Sequence, residues 1–192
     1  MLASAVRDYV VNYAVSPGDR TVIVTNNDDA YRTALALADA GLIVPAVLDA
    51  RPEAKGALPD AVRARGIRVL EGRGIARVKG GKRVISVVVC AQAGEGAALE
   101  EIPCEAVAMS GGWSPVVHLW SHCGGKLIWD EAQAHFRPDA TRPPTGADGT
   151  AMVVAAGTAS GYLGTDAVLA DAHTAGGGKG AAPQAKATTE AP

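Results

Sequence analysis

The sequence predicts an α/β protein in which helices, a parallel sheet and an antiparallel β-meander form three layers. Three observations support this prediction. Residues 21–25, TVIVT, form a continuous β-branched run, which is typical of a strand buried on both faces. An alanine- and leucine-rich helical pattern follows directly and ends at Gly41. Farther along, the pair Gly80-Gly81 separates two β-branched runs, as a hairpin turn does.

The first half of the chain alternates between helical and extended patterns. Apolar residues over positions 2–13 recur at helical spacing, so an amphipathic helix is predicted that stops at 17–18. The second helix has Asp28 or Asp29 as its N-cap candidate and Gly41 just past its end, and the next strand ends in Asp49. Beyond it we expect a loop over 52–59, a short helix over 60–66, a strand over 67–72, and the hairpin over 74–90.

The second half is less regular. It predicts one strand within 101–115, a hairpin or strand-plus-turn over 124–139, a proline-rich loop, a last buried strand over 151–157, and a helix capped by Thr165. Together the elements match a three-layer dinucleotide-binding (FAD/NAD(P)-like) domain with a β-meander, plus a partial second nucleotide-binding lobe. The expected boundaries are 1–106 for a degenerate NAD(P)-binding-like domain, 107–175 for a segment returning to the main nucleotide-binding domain, and 176–192 for a flexible tail.

Composition limits the classes of partner. The chain has 192 residues, 48% of them hydrophobic, and a formal net charge of -2. This gives enough apolar material for one sizeable core, and no basic field that would hold nucleic acid or an anionic membrane surface. Because no signal-peptide pattern opens the chain and every apolar run is interrupted before ~18 residues, we expect a cytoplasmic location without membrane contact.

Cysteines and histidines predict no metal site. Cys90, Cys104 and Cys123 are widely spaced and read as buried thiols in a reducing compartment. His118 and His122 are four residues apart, but no carboxylate lies nearby in sequence. No catalytic set is expected either, since there is no G-x-S-x-G elbow, Ser114 has no adjacent base, and in a strand Cys123 and His122 would point to opposite faces. The three tryptophans are predicted to be core or interface anchors.

The turn after the first strand reads NNDDAY where a phosphate-binding turn normally has glycines. Glycine lets the backbone approach a pyrophosphate, whereas Asp28 and Asp29 place two carboxylates where the phosphate would lie. We therefore predict that this turn caps a helix and does not bind a nucleotide. Asp49 has the position of the acid that binds an adenosine ribose, but without the glycine turn it predicts little.

A second set of glycines follows two other predicted strands. Gly111 and Gly112 end one of them, while Gly157, Thr158 and Gly161 end the other and precede a helix, with no carboxylate before Asp166. These five residues are the candidates for contact with a cofactor, because their backbone could approach a ribose and a phosphate. Tight packing between chain crossings explains the same glycines. Both interpretations stay open at this point.

Several stretches together resemble the middle of the alpha subunit of heterotetrameric bacterial sarcosine oxidase. They are MLASAVRDYVVNYAV, TVIVTNNDDAY, CEAVAMSGGWSPVVHLWSHCGGKLIWDE and AAGTASGYLGTDAVLADA, and the resemblance runs from Met1 to about Ala175. That subunit is similar to pyridine-nucleotide-disulphide oxidoreductases in its first half and carries a folate-binding domain in its second. Flavin-binding relatives have an aspartate where this chain has Thr158; this departure counts against FAD at the position and leaves room for NAD.

The resemblance implies a role within an enzyme complex. The complex would oxidatively demethylate sarcosine to glycine with hydrogen peroxide as co-product, and it would pass the one-carbon unit to tetrahydrofolate or release it as formaldehyde. FAD and FMN would belong to a partner subunit or interface, tetrahydrofolate to a C-terminal domain absent from this sequence, and the partners would be the beta, gamma and delta subunits. This chain would supply scaffold and part of an NAD site, and alone it would be inactive.

The alternative is a freestanding nucleotide-binding redox module, or a fragment of an FAD/NAD-dependent oxidoreductase. In either case the apolar segment over 151–157 would lack most of its parallel neighbours. Since an unpaired apolar strand promotes association, we expect the isolated chain to be less stable than its composition suggests, or to self-associate.

Overall fold

The computed structural model describes residues 1–92 and 96–184 and divides the chain into two compact units. The first comprises Met1–Gly112, and the second begins at Trp113. From residue 185 onward the predicted flexible tail lies outside the described residues.

The first unit follows the predicted alternation of elements. Its helices are α1 (Ala3–Tyr13), α2 (Asp29–Asp39) and α3 (Ala57–Ala64). Its strands are β1 (Thr21–Thr25), β2 (Val47–Asp49), β3 (Val69–Glu71), β4 (Arg73–Gly80), β5 (Val84–Ala91), β6 (Glu100–Pro103) and β7 (Ala106–Ser110). The predicted end of α2 is confirmed, since Gly41 adopts a φ of 78° and the Leu42 N–H donates to the Leu37 carbonyl oxygen at 2.9 Å.

Four strands form a parallel sheet in the order β3-β2-β1-β7. The central strand β1 pairs with β2 from Ile23 to Thr25, and with β7 over its whole length. All of β1 except Val24 is buried, which agrees with the absence of polar alternation in TVIVT.

The parallel sheet lies between two different layers. Ile23, Val47 and Ala108 face α1, α2 and α3 in one hydrophobic cluster, to which the helices contribute Val6, Tyr31, Leu37 and Val62 among others. Val22 and Leu48 point to the opposite face and pack against Val87, Val89 and Ile102 of the meander. Successive residues of a strand face opposite sides, so each strand supplies both cores. The predicted three-layer α/β architecture is therefore confirmed.

The meander joins β4, β5 and β6 in an antiparallel sheet. Its tight turn lies at the predicted Gly80-Gly81 pair. Gly80 has a φ of 144°, and a Cβ built there would overlap the backbone oxygen of Arg83. This position therefore requires glycine.

The single strand predicted within 101–115 is two strands, β6 and β7, and the chain crosses from the meander to the parallel sheet between them, at Cys104 and Glu105. The Cys104 N–H donates to the Ile85 carbonyl oxygen of the meander at 3.1 Å, whereas the Glu105 N–H donates to the Arg20 carbonyl oxygen at 2.8 Å. Pro103 has no N–H to continue the β6 ladder. Strand β7 therefore pairs with β1, and the first compact unit extends to Gly112.

The second unit contains α4 (His118–His122), the hairpin β8 (Leu127–Asp130) and β9 (His135–Pro138), a 3-10 helix (Gly157–Ser160), and α5 (Thr165–Ala175). The hairpin was predicted. Trp120 anchors the unit, because it is buried and its Nε1–H donates to the Lys126 carbonyl oxygen at 2.8 Å. Asp139 orders the proline-rich loop by accepting from Thr141 and Arg142, and these hydrogen bonds lower its pKa to about 2.

Two predictions for the second unit are wrong. Residues 152–156 form no strand, and the side chains of Met152 and Val154 are each 70% exposed. An apolar run becomes a strand only where neighbouring backbone pairs with it, and the one bridge here joins Ala151 to Thr145. Thr165 is the first residue of α5 and not its cap, since Gly164 occupies the N-cap position.

Candidate functional site

The carboxyl ends of the parallel strands are the natural place for a ligand in this architecture. Strands β1, β2 and β7 end side by side at Thr25, Asp49 and Ser110. The turn NNDD follows β1 directly and leads into α2. Polar side chains from all three strand ends meet here, and their contacts determine what this edge can bind.

Asn27 organises the turn. Its backbone N–H donates to Thr25 Oγ1 at 3.0 Å, and its Oδ1 accepts from the Asp29 N–H at 3.2 Å. Its Nδ2 donates to the Ser110 carbonyl oxygen at 3.1 Å, which ties the turn to β7. Asp28 occupies the predicted N-cap position of α2, but its side chain makes no capping hydrogen bond. The side-chain oxygen that receives the Asp29 N–H comes from Asn27 instead.

The two aspartates of the turn instead pair with arginines. Asp29 Oδ1 accepts from Arg7 Nη1 of α1 at 3.2 Å, and Asp28 Oδ1 accepts from Arg51 Nη2 at 2.7 Å. The first pair links two helices of the same layer. The second links the turn to the residues just after β2.

Asp49 is the centre of a buried network. Its carboxylate is completely inaccessible to solvent and accepts from the Tyr31 hydroxyl at 2.7 Å, from Arg51 Nη2 at 2.7 Å, and from the Arg51 Nε and backbone N–H at 3.0 and 2.9 Å. Both carboxylate oxygens are therefore engaged by residues of this chain. A buried charge requires such compensation.

The network shifts the titration of its members. Burial by itself would raise the pKa of Asp49, but the hydrogen bonds from Arg51 and Tyr31 outweigh burial and lower it. Burial raises the pKa of the Tyr31 hydroxyl, and the hydrogen bond to the Asp49 carboxylate raises it further. Hydrogen bonding to Asp49 raises the pKa of Arg51 against the effect of burial. At neutral pH the network is thus an ionised carboxylate held by a phenol and a guanidinium.

This edge does not fit a dinucleotide. The ribose-binding position at the end of β2 is taken, since Asp49 already holds Arg51 and Tyr31. The turn after β1 contains no glycine, and its carboxylates occupy the phosphate-binding region. Arg51, the one cation of the network, is shared between two carboxylates of this chain.

The sequence pointed to the aspartates of this network but not to Tyr31 or Arg51. Arg51 lies two residues after Asp49, and a cation beside an acid at a strand end is a signal that could have indicated an internal ion pair. The hydrogen bond of Tyr31 to Asp49 was harder to predict, because an aromatic residue in a helical pattern normally indicates core packing.

The predicted glycine set is divided between the two units. Gly111 and Gly112 follow β7 beside the NNDD turn, where the Gly111 carbonyl oxygen accepts from Asn26 Nδ2 at 3.1 Å and Gly112 has a φ of 92°. Gly157, Thr158 and Gly161 lie together in the second unit, on the 3-10 helix and directly after it.

In the second unit, packing accounts for both glycines. The φ of Gly157 is 61°, and a Cβ there would lie 3.0 Å from Cγ1 of Val168 in α5. The φ of Gly161 is 104°, and a Cβ there would lie 3.2 Å from Cδ of Arg137. The Gly157 N–H donates to the Asp171 carboxylate at 2.7 Å, so the backbone donor nearest to a hypothetical phosphate is already paired. The sequence-based expectation was that no carboxylate before Asp166 would obstruct these glycines, and it did not foresee that Asp171 would bind the Gly157 N–H.

The remaining candidates are dispersed. Within residues 1–92 and 96–184, no group of three or more histidine, cysteine or acidic residues could hold a metal ion. Cys90 and Cys104 are buried as predicted, but Cys123 is exposed, which contradicts the prediction for that thiol. Trp120 is a core anchor, whereas Trp113 and Trp129 are exposed. Among the residues that the structure describes, no helix has the length and apolar character to cross a membrane.

Comparison with known proteins identifies relatives for most of the chain. The sequence is 40% identical to the sarcosine oxidase subunit alpha of Corynebacterium sp. (strain P-1) over 144 residues, or 73% of this chain. It is 37% identical to that of Rhizobium meliloti (strain 1021) over 71% of the chain, and 35% identical to that of Corynebacterium sp. (strain U-96) over 88%. This chain is homologous to a segment of the sarcosine oxidase alpha subunit. The resemblance predicted from the sequence is thereby confirmed.

The segment is a small part of these sarcosine oxidase alpha subunits, since the matches span 15%, 13% and 17% of their lengths. A scan of protein-family models gives no match. Among solved structures, the chain resembles thioredoxin reductase from T. acidophilum (TM-score 0.57, 21% identity, 82% of this chain and 49% of that one). Thioredoxin reductase from Lactococcus lactis is comparable (TM-score 0.55, 19% identity, 82% and 51%). At these identities the likeness establishes the fold alone, which the chain shares with these two thioredoxin reductases.

Proposed function

We propose that this chain is a structural segment of a sarcosine oxidase alpha subunit, and that its first unit keeps a dinucleotide-binding fold without a dinucleotide site. The observation that supports the second part is the buried Asp49 carboxylate, whose oxygens are both engaged by Tyr31 and Arg51. A ribose hydroxyl would have to displace one of these donors. The segment thus provides shape and stability in place of chemistry.

The proposed context is an enzyme that oxidatively demethylates sarcosine to glycine, with hydrogen peroxide as co-product and the one-carbon unit passed to tetrahydrofolate or released as formaldehyde. FAD and FMN would be bound by a partner subunit or at an interface, and tetrahydrofolate by a domain outside this sequence. The beta, gamma and delta subunits would be the partners. This chain contributes no catalytic residue to the reaction.

Gly111, Gly112, Gly157, Thr158 and Gly161 are proposed as the residues of this chain nearest to an NAD molecule in the assembled subunit. The positive φ angles of Gly112, Gly157 and Gly161 permit a close approach of the backbone. A phosphate at the 3-10 helix would compete with the Asp171 carboxylate for the Gly157 N–H. Asp171 would therefore have to turn away when NAD binds.

A segment exchange tests this function. The matching segment of the Corynebacterium sp. (strain P-1) alpha subunit would be replaced by residues 1–175 of this chain, and the complex purified with its partner subunits. We expect assembly and sarcosine-dependent peroxide formation. The corresponding segment of the strain U-96 subunit, placed in the same position, measures how well a related segment is tolerated.

The outcome has two parts. If the U-96 exchange assembles and the exchange with this chain folds but does not assemble, the proposed role as a subunit segment is wrong. A second outcome concerns the cofactor. If the complex assembles and its NAD content is lowered by Asp49→Ala but not by Gly157→Val, the proposal that the first unit has no dinucleotide site is wrong.

A further inference from the structure

A groove of about 1000 Å³ lies in the first unit at the amino ends of β1 and β7. Its walls are the segment 17–20 before β1, the turn between β4 and β5, and residues 103–105 before β7. The amino ends of parallel strands lie opposite the edge that holds Asp49. The groove is therefore separate from the site described above.

Three cationic side chains line the groove without an anionic partner. Among the described residues, the side chains of Arg20, Lys82 and Arg83 form no ion pair and no hydrogen bond. The Arg20 Nε is buried and lacks an acceptor. Other cations of the same unit do pair with carboxylates, as do Arg7, Arg51, Arg63, Arg65, Arg68 and Lys79. Arg32 and Arg77 of the same described unit also form no ion pair, but the three unpaired cations of the groove line one cavity together.

The groove also contains two carboxylates. Glu105 Oε2 accepts from the Asp19 N–H at 2.7 Å, which leaves Glu105 partly engaged by the backbone. With Asp19 and Glu105 counted against the three cations, the formal charge of the lining is about one positive unit. This favours a ligand with a few carboxylates over a densely charged phosphate backbone, which the two acids would repel.

An apolar groove of about 540 Å³ continues from the basic one and shares Pro17, Val84 and Glu105 with it. Its lining includes Val78 and Met109, which are 46% and 51% exposed. A small anion would leave this surface uncovered. An extended peptide can place acidic side chains in the basic part and apolar side chains in the other.

We propose that the two connected grooves bind an extended peptide segment of a partner protein that carries both carboxylates and apolar side chains. Its carboxylates pair with Arg20, Lys82 and Arg83, and its apolar side chains cover Val78 and Met109. This assignment rests on the first unit alone and does not depend on the proposed function.

Fluorescence anisotropy tests the assignment with the full chain and a labelled peptide, Ac-Glu-Leu-Glu-Val-Glu-Leu-amide. We expect a dissociation constant in the micromolar range. The double variant Lys82→Glu/Arg83→Glu changes two exposed turn residues and should weaken binding about tenfold, and Val78→Asp should weaken it several-fold. The matched control is Arg32→Glu, an exposed arginine of α2 outside the groove. Its affinity should equal that of the wild type.

Several outcomes would overturn the proposal. One is no binding of the peptide at about 1 mM. Another is equal affinity for a peptide with lysine in place of glutamate, or equal loss with Arg32→Glu. Displacement of the peptide by millimolar inorganic phosphate would assign a small-anion site instead, and tighter binding of a single-stranded oligonucleotide would assign a nucleic-acid site. Thermal unfolding of each variant, followed by circular dichroism, confirms that the comparison is made between folded chains.

Discussion

At the scale of single residues, Asp49 explains most about this protein. A carboxylate at the end of the second parallel strand is the group that recognises ribose in nucleotide-binding units. Here the same group is buried and bound by Tyr31 and Arg51, so it stabilises the fold. The carboxylate at this strand end thus binds side chains of the chain itself.

The stability of two variants distinguishes this role from that of a surface ion pair. Asp49→Asn leaves the Arg51 guanidinium without its buried partner and should lower the free energy of unfolding by about 2–3 kcal/mol. Asp28→Asn is the matched control, because Asp28 also pairs with Arg51 but is 48% exposed. It should cost less than about 1 kcal/mol. Urea unfolding measures both, and equal losses would contradict the central role of Asp49.

The acid dependence of stability follows from the lowered pKa of Asp49. A carboxyl group whose pKa is lower in the folded state than in the unfolded state stabilises the protein above its ordinary pKa of about 4, and this contribution is lost as the pH falls through the folded-state value. The stability difference between wild type and Asp49→Asn should therefore shrink when urea unfolding is repeated from pH 6 down to pH 3. A constant difference would show that Asp49 contributes through packing alone.

At the scale of elements, the regular parts of the chain were predictable because their signals are local. Strand β1 is buried on both faces and reads as an unbroken β-branched run, and α2 ends at a glycine with positive φ. The segment 151–156 was not predictable in the same way. Its apolar character indicated a buried strand, but a strand also needs backbone partners, and these are not encoded in its own residues.

The β4–β5 turn gives an element-scale prediction. Gly80→Ala places a Cβ against the backbone oxygen of Arg83 at a φ of 144°, and it should destabilise the first unit by about 1–3 kcal/mol. Gly81→Ala is the control, because a Cβ at Gly81 meets nothing within 4 Å. Its effect should stay within about 0.5 kcal/mol. Thermal unfolding compares the two variants, and a tolerated Gly80→Ala would mean that the turn has another conformation.

At the scale of the whole molecule, the two units differ in how much apolar surface they bury. The first has a core on each face of its parallel sheet, whereas α5 of the second has no buried residue. The sequence predicted the first architecture well, since its periodicities agree with its packing. It could not predict the contacts of Tyr31, Arg51 and Asp171, because these depend on side chains that meet only in the folded chain.

Exposed apolar residues in the second unit predict self-association. Met152 and Val154 are each 70% exposed on a segment whose backbone has no strand partner. Met152→Lys/Val154→Lys should reduce concentration-dependent association in sedimentation velocity. Val116→Lys/Leu119→Lys changes two residues of similar exposure, 69% and 67%, and should have a smaller effect. A wild-type chain that sediments as a monomer at all concentrations would refute the prediction.

The central claim is that the first unit has a dinucleotide-binding fold but no dinucleotide site. The most direct test is a calorimetric titration of the full chain with NAD, followed by one with FAD. Because Asp49 and the NNDD turn are occupied by the chain's own side chains, we predict no heat of binding at about 1 mM ligand. Micromolar NAD binding abolished by Asn27→Ala or Asp49→Ala would show that the first unit holds the nucleotide and would contradict the account. Micromolar binding abolished by Gly157→Val, but not by Asp28→Ala, would contradict the scaffold role by showing that the second unit holds NAD unaided.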